Sequence, residues 1–213
     1  QNKLWTAMAK ETAHQIGTPL SSLIGWSELL KTEKVNPTYI EEINNDINRL
    51  ETITERFSKI GSIPQLTPTD IVQATRNSVQ YLEARSSQMI TFNSKLLEGA
   101  VLIDLNEALY SWTIENLIKN SIDAMKGKGD LNIVMEDKPE EVCILISDTG
   151  QGLSKKQFNT IFETGYTTKK RGWGLGLSLA KRIIEQYHDG KIKVLSSELG
   201  KGTTFQITLR KLL

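Results

Sequence analysis

The sequence predicts an α+β protein, in which an antiparallel helical hairpin over about residues 2–61 precedes an α/β sandwich with helices on one face. Apolar residues recur at helical spacing along two stretches of the first part. In the second part, helices and strands are mixed without the regular alternation of a parallel α/β fold. Two prolines and a glycine break helical continuation between the parts. We therefore expect domains at residues 1–63 and 69–213, joined by a linker at 64–68.

The hairpin is predicted from two apolar stripes with a turn between them. Pro37 suits the first turn of the second helix, where its missing N–H is not needed. Two helices alone bury little apolar surface, and Ile24, Trp26 and Leu29 lie outside the main stripe, so we expect two chains to pair into a four-helix bundle. The first stripe consists of Leu4, Met8, Ile16, Leu20, Leu23 and Leu30, and the second of Ile40, Ile43, Ile47, Leu50, Ile53, Phe57 and Ile60.

The second part is predicted to alternate irregularly between helices and short strands. Asn106 is a candidate N-cap for the strongest of the helices. The helices are predicted at about 69–85, 106–126 and 175–187, and the strands at about 89–92, 101–103, 131–135, 142–146, 191–196 and 203–209, the last two separated by a glycine turn at 200–202.

Composition and charge exclude several classes of partner. A formal net charge of +1 provides no electrostatic footprint for nucleic acid, so no such partner is expected. The single cysteine, Cys143, excludes an internal disulfide and favours a reducing compartment such as the cytoplasm. No apolar run approaches the roughly 18–20 residues needed to cross a bilayer. The chain begins in the middle of a predicted helix, so we expect a fragment whose parent contacts a membrane, if at all, through upstream segments.

A histidine in the first predicted helix is the first candidate for chemistry. At about 100° per residue, His14 lies about 160° from Ile16 and about 120° from Met8 around the helix. It therefore faces away from the apolar stripe, where a large partner can reach it. Pro19 should bend the helix just after the histidine. An isolated histidine is usually structural, whereas an exposed one beside a bend favours a functional role.

A polar stripe in the long central helix is the second candidate. Asn116, Asn120 and Asp123 fall at i, i+4 and i+7, which places them on one face. Leu117 and Ile118 turn toward the core. Such a stripe can be a solvated face, but its oxygens can also bind a magnesium ion and its amides can bind phosphates.

Two glycine motifs suggest a ligand that approaches the backbone closely. They are Asp148-x-Gly150-x-Gly152 and Gly172-x-Gly174-x-Gly176. The second opens a predicted helix, whose N-terminal amides favour phosphate, and basic residues 169–171 precede it. The spacing does not match a P-loop, which needs Lys and then Ser or Thr after the glycine. It does not match a Rossmann fingerprint either, because no strand directly precedes the second motif.

In their order along the chain, these features resemble the two-domain core of sensor histidine kinases of two-component signalling, whose ATP-binding half belongs to the GHKL (Bergerat) group. The histidine box comes first, followed by the asparagine box and the two glycine motifs. Phe158-x-x-x-Phe162 lies between the glycine motifs, and Gly200-x-Gly202-Thr203 follows them, as in the family. The resemblance covers nearly the whole chain, and several ordered boxes at compatible spacing are far more specific than any one of them.

The resemblance implies an ATP site with Mg²⁺ in the second domain. Asp148 would accept a hydrogen bond from the adenine 6-amino group, Asn120 would be a ligand of Mg²⁺, and Asn116 would contact both phosphate and metal. Lys119 would add a phosphate contact. The set implied to bind the nucleotide is Asn116, Lys119, Asn120, Asp148, Gly150, Gly152, Tyr166, Thr168, Lys169, Gly172, Gly174, Leu175, Gly176, Leu177 and Thr203.

The resemblance also implies a short mobile lid over residues 166–173, with Phe158 and Phe162 as packing residues that anchor it. Thr203 and Thr204 would lie near the adenine end. Trp173 is compatible with either a lid residue or a core anchor.

The implied reaction is transfer of the γ-phosphoryl group of ATP to His14 and then to an aspartate of a response-regulator receiver domain. ATP-hydrolysing GHKL proteins carry a water-activating Glu where this chain has Asn116, and Glu115 is rotated by about 100° around the helix. Hydrolysis is therefore disfavoured. Transfer would rest on positioning and on Mg²⁺ and Lys stabilising the phosphoryl group.

One position departs from the family pattern. Most members have an acidic residue directly after the histidine, where this chain has Gln15. The Gln15 carbonyl can accept a ring N–H hydrogen bond but cannot act as a base, so it bears on the rate of autophosphorylation. Thr18 matches the family position that assists phosphatase action on the partner.

Two alternatives stay open. Gln15 is compatible with a non-catalytic ATP-binding dimer that regulates a response regulator by docking or as a phosphatase. A GHKL ATPase or an anti-sigma-type serine kinase is the other alternative, and an exposed histidine on a hairpin argues against it.

Overall fold

The structure, a computed structural model, describes residues 16, 20–33, 35–60, 64–168 and 174–212. It comprises two compact units, Gln1–Pro64 and Gln65–Leu213. Five of the predicted site residues lie outside the described residues: His14, Gln15, Thr18, Lys169 and Gly172. Among the described residues, no helix is long and apolar enough to span a membrane.

The first unit contains two helices, α1 over residues 20–31 and α2 over Pro37–Ile60. Helix α2 begins at Pro37, as predicted, and the preceding Asn36 side chain accepts a hydrogen bond from the Thr38 amide at 3.1 Å. The Ser27 hydroxyl of α1 donates to Asn44 Oδ1 of α2 at 2.7 Å, so the two helices lie side by side as the predicted hairpin.

The hairpin buries only part of its apolar surface within one chain. Leu20, Ile40 and Ile47 are buried, whereas Trp26 is 63% and Leu29 58% exposed. Exposed apolar side chains of this size are available for a contact with another chain.

The second unit is built on a five-stranded sheet and a small two-stranded one. The strands are β1 Thr67–Asp70, β2 Ile90–Lys95, β3 Leu102–Leu105, β4 Gly129–Asp137, β5 Glu141–Asp148, β6 Lys191–Glu198 and β7 Gly202–Arg210. The strand order of the large sheet is β2-β4-β5-β7-β6, in which β2 and β4 are parallel and the other neighbours are antiparallel. The small sheet pairs β1 with β3 in antiparallel orientation.

Helices cover one face of the large sheet, as predicted. Side chains of the central helix and of the facing strands are fully buried, among them Leu117 and Ile118 against Ile133 and Ile144. The opposite face carries polar pairs, such as Ser147 with Thr204 at 2.9 Å. The helices are α3 Ile71–Glu83, α4 Glu107–Ala124, the short α5 Gln157–Thr160, and α6 Gly176–Arg182, which continues as a π-helical turn over Ile183–Tyr187.

Asn106 is the N-cap of α4, as predicted, because its side chain accepts a hydrogen bond from the Leu109 amide at 3.2 Å. The prediction for α3 was wrong at its start. The helix begins at Ile71, and Asp70 caps it by accepting a hydrogen bond from the Val72 amide at 3.0 Å. The same carboxylate oxygen accepts a second bond from the Val101 amide, which lies just before β3. Thr67 and Pro68, which fall in the expected linker, belong to β1.

A buried histidine connects the end of the π-helical turn to the start of α4. His188 Nε2 accepts a hydrogen bond from the Asn106 amide at 2.9 Å. Its Nδ1 therefore carries the proton of the neutral ring and donates to the Ile183 carbonyl at 2.9 Å. Burial lowers the pKa of His188, and the bond to Ile183 opposes this only in part. The fold thus requires a neutral imidazole at this position.

The free energy of unfolding should fall as the pH falls below the ordinary His188 pKa of 6.5. Above that value the stabilisation is complete, and it is lost as the pH approaches the lowered pKa, because the unfolded chain then binds a proton that the folded chain resists. Each unit of lowering corresponds to about 1.4 kcal/mol.

Thermal melting between pH 7.5 and 5.5 checks this expectation. In His188→Asn the fall in Tm with pH should be smaller, although the variant is less stable at pH 7.5. His14→Asn is the matched control, because His14 is the only other histidine in the sequence. Equal pH slopes in the wild type and His188→Asn would contradict the argument.

Candidate functional site

A cavity of about 1190 Å³ opens between α4, the loop after β5, the chain before and after α5, the start of α6 and the β6–β7 turn. It brings together twelve of the predicted nucleotide-site residues from five separate segments. These are Asn116, Lys119, Asn120, Asp148, Gly152, Tyr166, Thr168, Gly174, Leu175, Gly176, Leu177 and Thr203.

The polar face of α4 forms one wall of the cavity. Asn116, Asn120 and Asp123 line it, while Leu117 and Ile118 on the opposite face are fully buried in the core. Asn116 Nδ2 is buried and has no hydrogen-bond partner among the described residues. This amide is therefore available to a ligand.

Glu115, one residue before Asn116, does not line the cavity among the described residues. Its side chain is buried, and its Oε2 lies 3.2 Å from Lys119 Nζ. The described residues that line the cavity include Lys119 but not Glu115. The rotation of about 100° per residue thus separates the carboxylate from the cavity and leaves an amide in it.

Asp148 ends β5 at one end of the cavity. Its Oδ1 accepts a hydrogen bond from the Gly150 amide at 2.9 Å, whereas its Oδ2 is buried and has no hydrogen-bond partner within 3.5 Å among the described residues. The Ser121 hydroxyl and the Thr203 backbone lie near the carboxyl and act on it electrostatically. Burial raises the pKa of the Asp148 carboxyl, and hydrogen bonding from the Gly150 amide, together with the Ser121 hydroxyl and the Thr203 backbone, opposes this. A buried acceptor without a donor is costly, so this oxygen is suited to a donor group of a ligand.

The first glycine motif is wedged between α4 and the β6–β7 turn. A Cβ on Gly150 would lie 2.6 Å from the Ala124 carbonyl carbon, and a Cβ on Gly152 2.0 Å from the Glu198 oxygen. Gly152 also has a φ of +69°, which a side chain would strain. Gly152 lines the cavity, whereas the described lining does not include Gly150, which instead lets the loop lie against the end of α4.

The second glycine motif closes the other end of the cavity. Gly174 has a φ of +63°, and its carbonyl accepts a hydrogen bond from the Gly165 amide at 3.0 Å. Helix α6 then begins at Gly176, close to α4, because a Cβ there would lie 3.6 Å from Asn116 Oδ1. The two glycine motifs meet α4 at Ala124 and at Asn116, which are about 12 Å apart along the helix axis. A ligand in the cavity can extend over this length.

Phe162 is a packing residue, as predicted. It is buried and meets the Phe205 ring edge-on at 6.4 Å between centroids. Phe158 is partly buried against the same core. Phe205 also lines the cavity, so this contact connects the chain after α5 to the sheet at the cavity wall.

Sequence reasoning did not assign several residues that line the cavity. Asp123 was part of the polar stripe, Gln151 lies inside the first glycine motif and Thr167 lies in the predicted lid, so a signal existed for them. The sequence interpretation placed none of the others at a ligand site, and tertiary packing brings them to the cavity: Ala124, Leu153, Gln157, Ile161, Leu199 and Phe205.

The arrangement has the properties of a site for a phosphorylated ligand with a polar planar group. Asp148 provides an acceptor at one end, and apolar side chains such as Leu153 and Ile161 line the same cavity. Amide groups and Lys119 lie along α4. Amide oxygens are hard ligands of the kind that Mg²⁺ binds together with phosphate oxygens, so Asn116 and Asn120 fit a magnesium site.

Comparison with known proteins gives two family matches. Residues 106–213 match the family described as histidine kinase-, DNA gyrase B- and HSP90-like ATPase. Residues 4–63 match the His Kinase A (phospho-acceptor) domain.

The chain is similar to sporulation kinase E of Bacillus subtilis (strain 168), with 31% identity over 95% of this chain and 28% of that protein. The chain spans between 28% and 48% of the length of the sporulation kinases that it matches. Among solved structures, full-length ShkA in complex with AMPPNP has a TM-score of 0.75 and 20% identity, covering 97% of this chain and 46% of that one, which shows the fold alone. Histidine kinase ThkA in complex with the response regulator TrrA has a TM-score of 0.62 and 25% identity, covering 97% and 61%.

ATP should bind more tightly than GTP. The adenine 6-amino group can donate to Asp148 Oδ2, whereas guanine presents a carbonyl there and would leave two acceptors opposed. The cost of about 1–3 kcal/mol corresponds to roughly five- to 150-fold in affinity. Isothermal titration calorimetry with both nucleotides measures the ratio.

Asp148→Asn should weaken ATP binding at least about ten-fold while the Tm changes little, because the bond from Gly150 can be kept. Asp189→Asn is the matched control, since Asp189 is exposed and the described cavity lining does not include it. Equal affinities for ATP and GTP would refute this role of Asp148.

Proposed function

Because the chain belongs to the family of histidine kinase-, DNA gyrase B- and HSP90-like ATPases and carries a His Kinase A domain, we propose that it is the catalytic core of a sensor histidine kinase. It transfers the γ-phosphoryl group of Mg-ATP to His14 and from there to an aspartate of a response regulator. The observation that carries the proposal is the cavity in which the polar face of α4 meets Asp148 and the second glycine motif.

In this proposal the nucleotide lies along α4. Asp148 accepts from the adenine amino group, and Asn116 Nδ2, Lys119 and the chain at 174–177 contact the phosphates. The amide oxygens of Asn116 and Asn120 hold Mg²⁺, which neutralises charge on the phosphates. Support comes from the buried atoms Asp148 Oδ2 and Asn116 Nδ2, neither of which has a partner among the described residues.

Phosphoryl transfer is favoured over hydrolysis. The hydrolytic position holds Asn116, and the nearby carboxylate of Glu115 is engaged with Lys119. A neutral imidazole is available near pH 7, because the reference pKa of histidine is about 6.5. His14 lies outside the described residues, so its role rests on the sequence and on the domain match.

The proposal includes a homodimer through the hairpin and a receiver domain as partner. Support for the dimer is the exposed apolar surface at Trp26 and Leu29, and support for the partner is the ThkA–TrrA complex, a property of that protein. We place the core in the cytoplasm, where Mg-ATP and the receiver domain would meet it, as the possible cytoplasmic portion of a membrane-anchored sensor.

A second candidate is a non-catalytic ATP-binding dimer that regulates the response regulator. The observation that favours it is Gln15, which cannot act as a base where most relatives have an acidic residue.

Incubation with γ-labelled ATP separates the two candidates. The label should be lost in acid and kept in base, as expected of phosphohistidine and opposite to phosphoserine. His14→Gln should abolish labelling while leaving ATP affinity nearly unchanged, because the nucleotide cavity lies in the other unit. No labelling of a wild type that still binds ATP would favour the regulator.

Gln15→Glu should increase the rate of autophosphorylation. General-base assistance is typically worth ~10²–10⁴-fold, but phosphoryl transfer depends mostly on positioning, so the expected increase is at most about ten-fold. Gln15→Asn, which keeps an amide, is the control for side-chain replacement at this position. An unchanged rate in Gln15→Glu would mean that position 15 contributes orientation alone.

At micromolar concentration, sedimentation should give about twice the chain mass of 23.9 kDa. Leu29→Glu should weaken the dimer ten-fold or more, about 1.4 kcal/mol, because it buries an unpaired charge in the proposed interface. Leu102→Glu, at a residue of the second unit that is 49% exposed, is the matched control. A strict monomer would refute the bundle.

A further inference from the structure

The side-chain amide of Gln157, the first residue of α5, is held in one orientation by hydrogen bonds and lines the nucleotide cavity. Gln157 Oε1 accepts hydrogen bonds from the Ser154 amide at 2.9 Å and from the Ser154 hydroxyl at 2.8 Å. Its Nε2 donates to the Tyr166 hydroxyl at 3.0 Å. The two ends of the amide are therefore distinguished, and the bonds from Ser154 fix the direction in which the Nε2 points.

The Ser154 bonds follow from local sequence. Ser154 lies three residues before Gln157, in the turn that precedes α5, so its amide and its hydroxyl both reach the Gln157 side-chain oxygen. This is not a capping box, because the N-cap of α5 is Lys156 and Gln157 is the first residue of the helix. The Gln157 amide also donates to the Ser154 carbonyl at 2.9 Å. Of the Gln157 side chain, these local bonds use only the oxygen. The bond from Nε2 to Tyr166, nine residues later, is additional to them.

Tyr166 is held from two sides at the cavity wall. Its ring is half-buried against the hydrophobic core, and its hydroxyl receives the Gln157 bond. Both residues line the cavity, and so do Thr167 and Thr168, which follow Tyr166 directly. The position of Tyr166 therefore sets where the next two residues meet the cavity.

We propose that Gln157 is a positioning residue for the nucleotide, which acts by holding Tyr166 in the cavity wall. This inference rests on the proposed ATP site and adds to it a residue that supports that wall. Without the bond, Tyr166 can leave the wall, and the nucleotide must then bear the cost of ordering it. A bond of this kind is worth about 0.5–1.5 kcal/mol.

Calorimetry with Mg-ATP on the whole chain tests the proposal. Gln157→Leu and Tyr166→Phe should each weaken ATP binding by roughly three- to ten-fold. The double variant should be no weaker than the weaker single variant, because both changes remove the same bond. In the labelling assay the KM for ATP should rise by the same factor, with the rate at saturating ATP within about two-fold of wild type.

Gln206→Leu is the matched control. Gln206 Nε2 also donates to a hydroxyl, that of Thr208 at 3.1 Å, but the described cavity lining does not include it. Its ATP affinity should equal that of the wild type. If Gln157→Leu unfolds, Tyr166→Phe still tests the bond from its other end.

Three results in the variants would overturn the proposal. They are wild-type affinity in Gln157→Leu or in Tyr166→Phe, losses that add in the double variant, and a lower saturating rate with an unchanged KM. A wild-type chain that fails to bind ATP would overturn the proposed function together with this inference. A wild type that binds ATP normally beside an equally tight Gln157→Leu would overturn the positioning role alone.

Discussion

Helix α4 must be apolar on one side and polar on the other, and the second unit depends on this division. Leu117 and Ile118 are fully buried and fix the helix against the sheet. Because that packing leaves the helix little freedom to rotate, Asn116 and Asn120 are held at the cavity by the same contacts that stabilise the core. Core packing and ligand geometry are thus set by one element, and a change that rotates α4 would affect both.

The cost of this arrangement appears as buried polar atoms. Asp148 Oδ2 and Asn116 Nδ2 are removed from water and lack a partner among the described residues. Each such group costs free energy in the folded chain, which a bound nucleotide would recover by pairing with it. Stability of the empty chain and affinity for the ligand therefore oppose each other at these two positions, which is typical of a binding site.

The sequence predicted elements whose signals are local. Pro37 and Asn106 marked helix starts because capping chemistry acts within one turn. Strand β1 was missed, since Thr67-Pro68-Thr69-Asp70 has no apolar alternation and pairs with a strand more than thirty residues later. Gly150 was predicted to lie near the nucleotide, yet its missing Cβ serves contact with Ala124. Gln157 reaches the cavity only through loop packing, which local patterns do not encode.

On the proposed function, the choice between phosphoryl transfer and hydrolysis depends on which residue of α4 lines the cavity. A carboxylate at position 116 would lie in the cavity, where it could accept a proton from an attacking water. At position 115 the carboxylate is turned away from the cavity and pairs with Lys119. The α4 side chain that lines the cavity at position 116 is therefore an amide. An amide can donate to a phosphate but cannot take up a proton. The γ-phosphoryl group then stays on ATP until a nucleophile arrives from outside the cavity. A neutral histidine in the other unit is such a nucleophile, and it needs no base within α4.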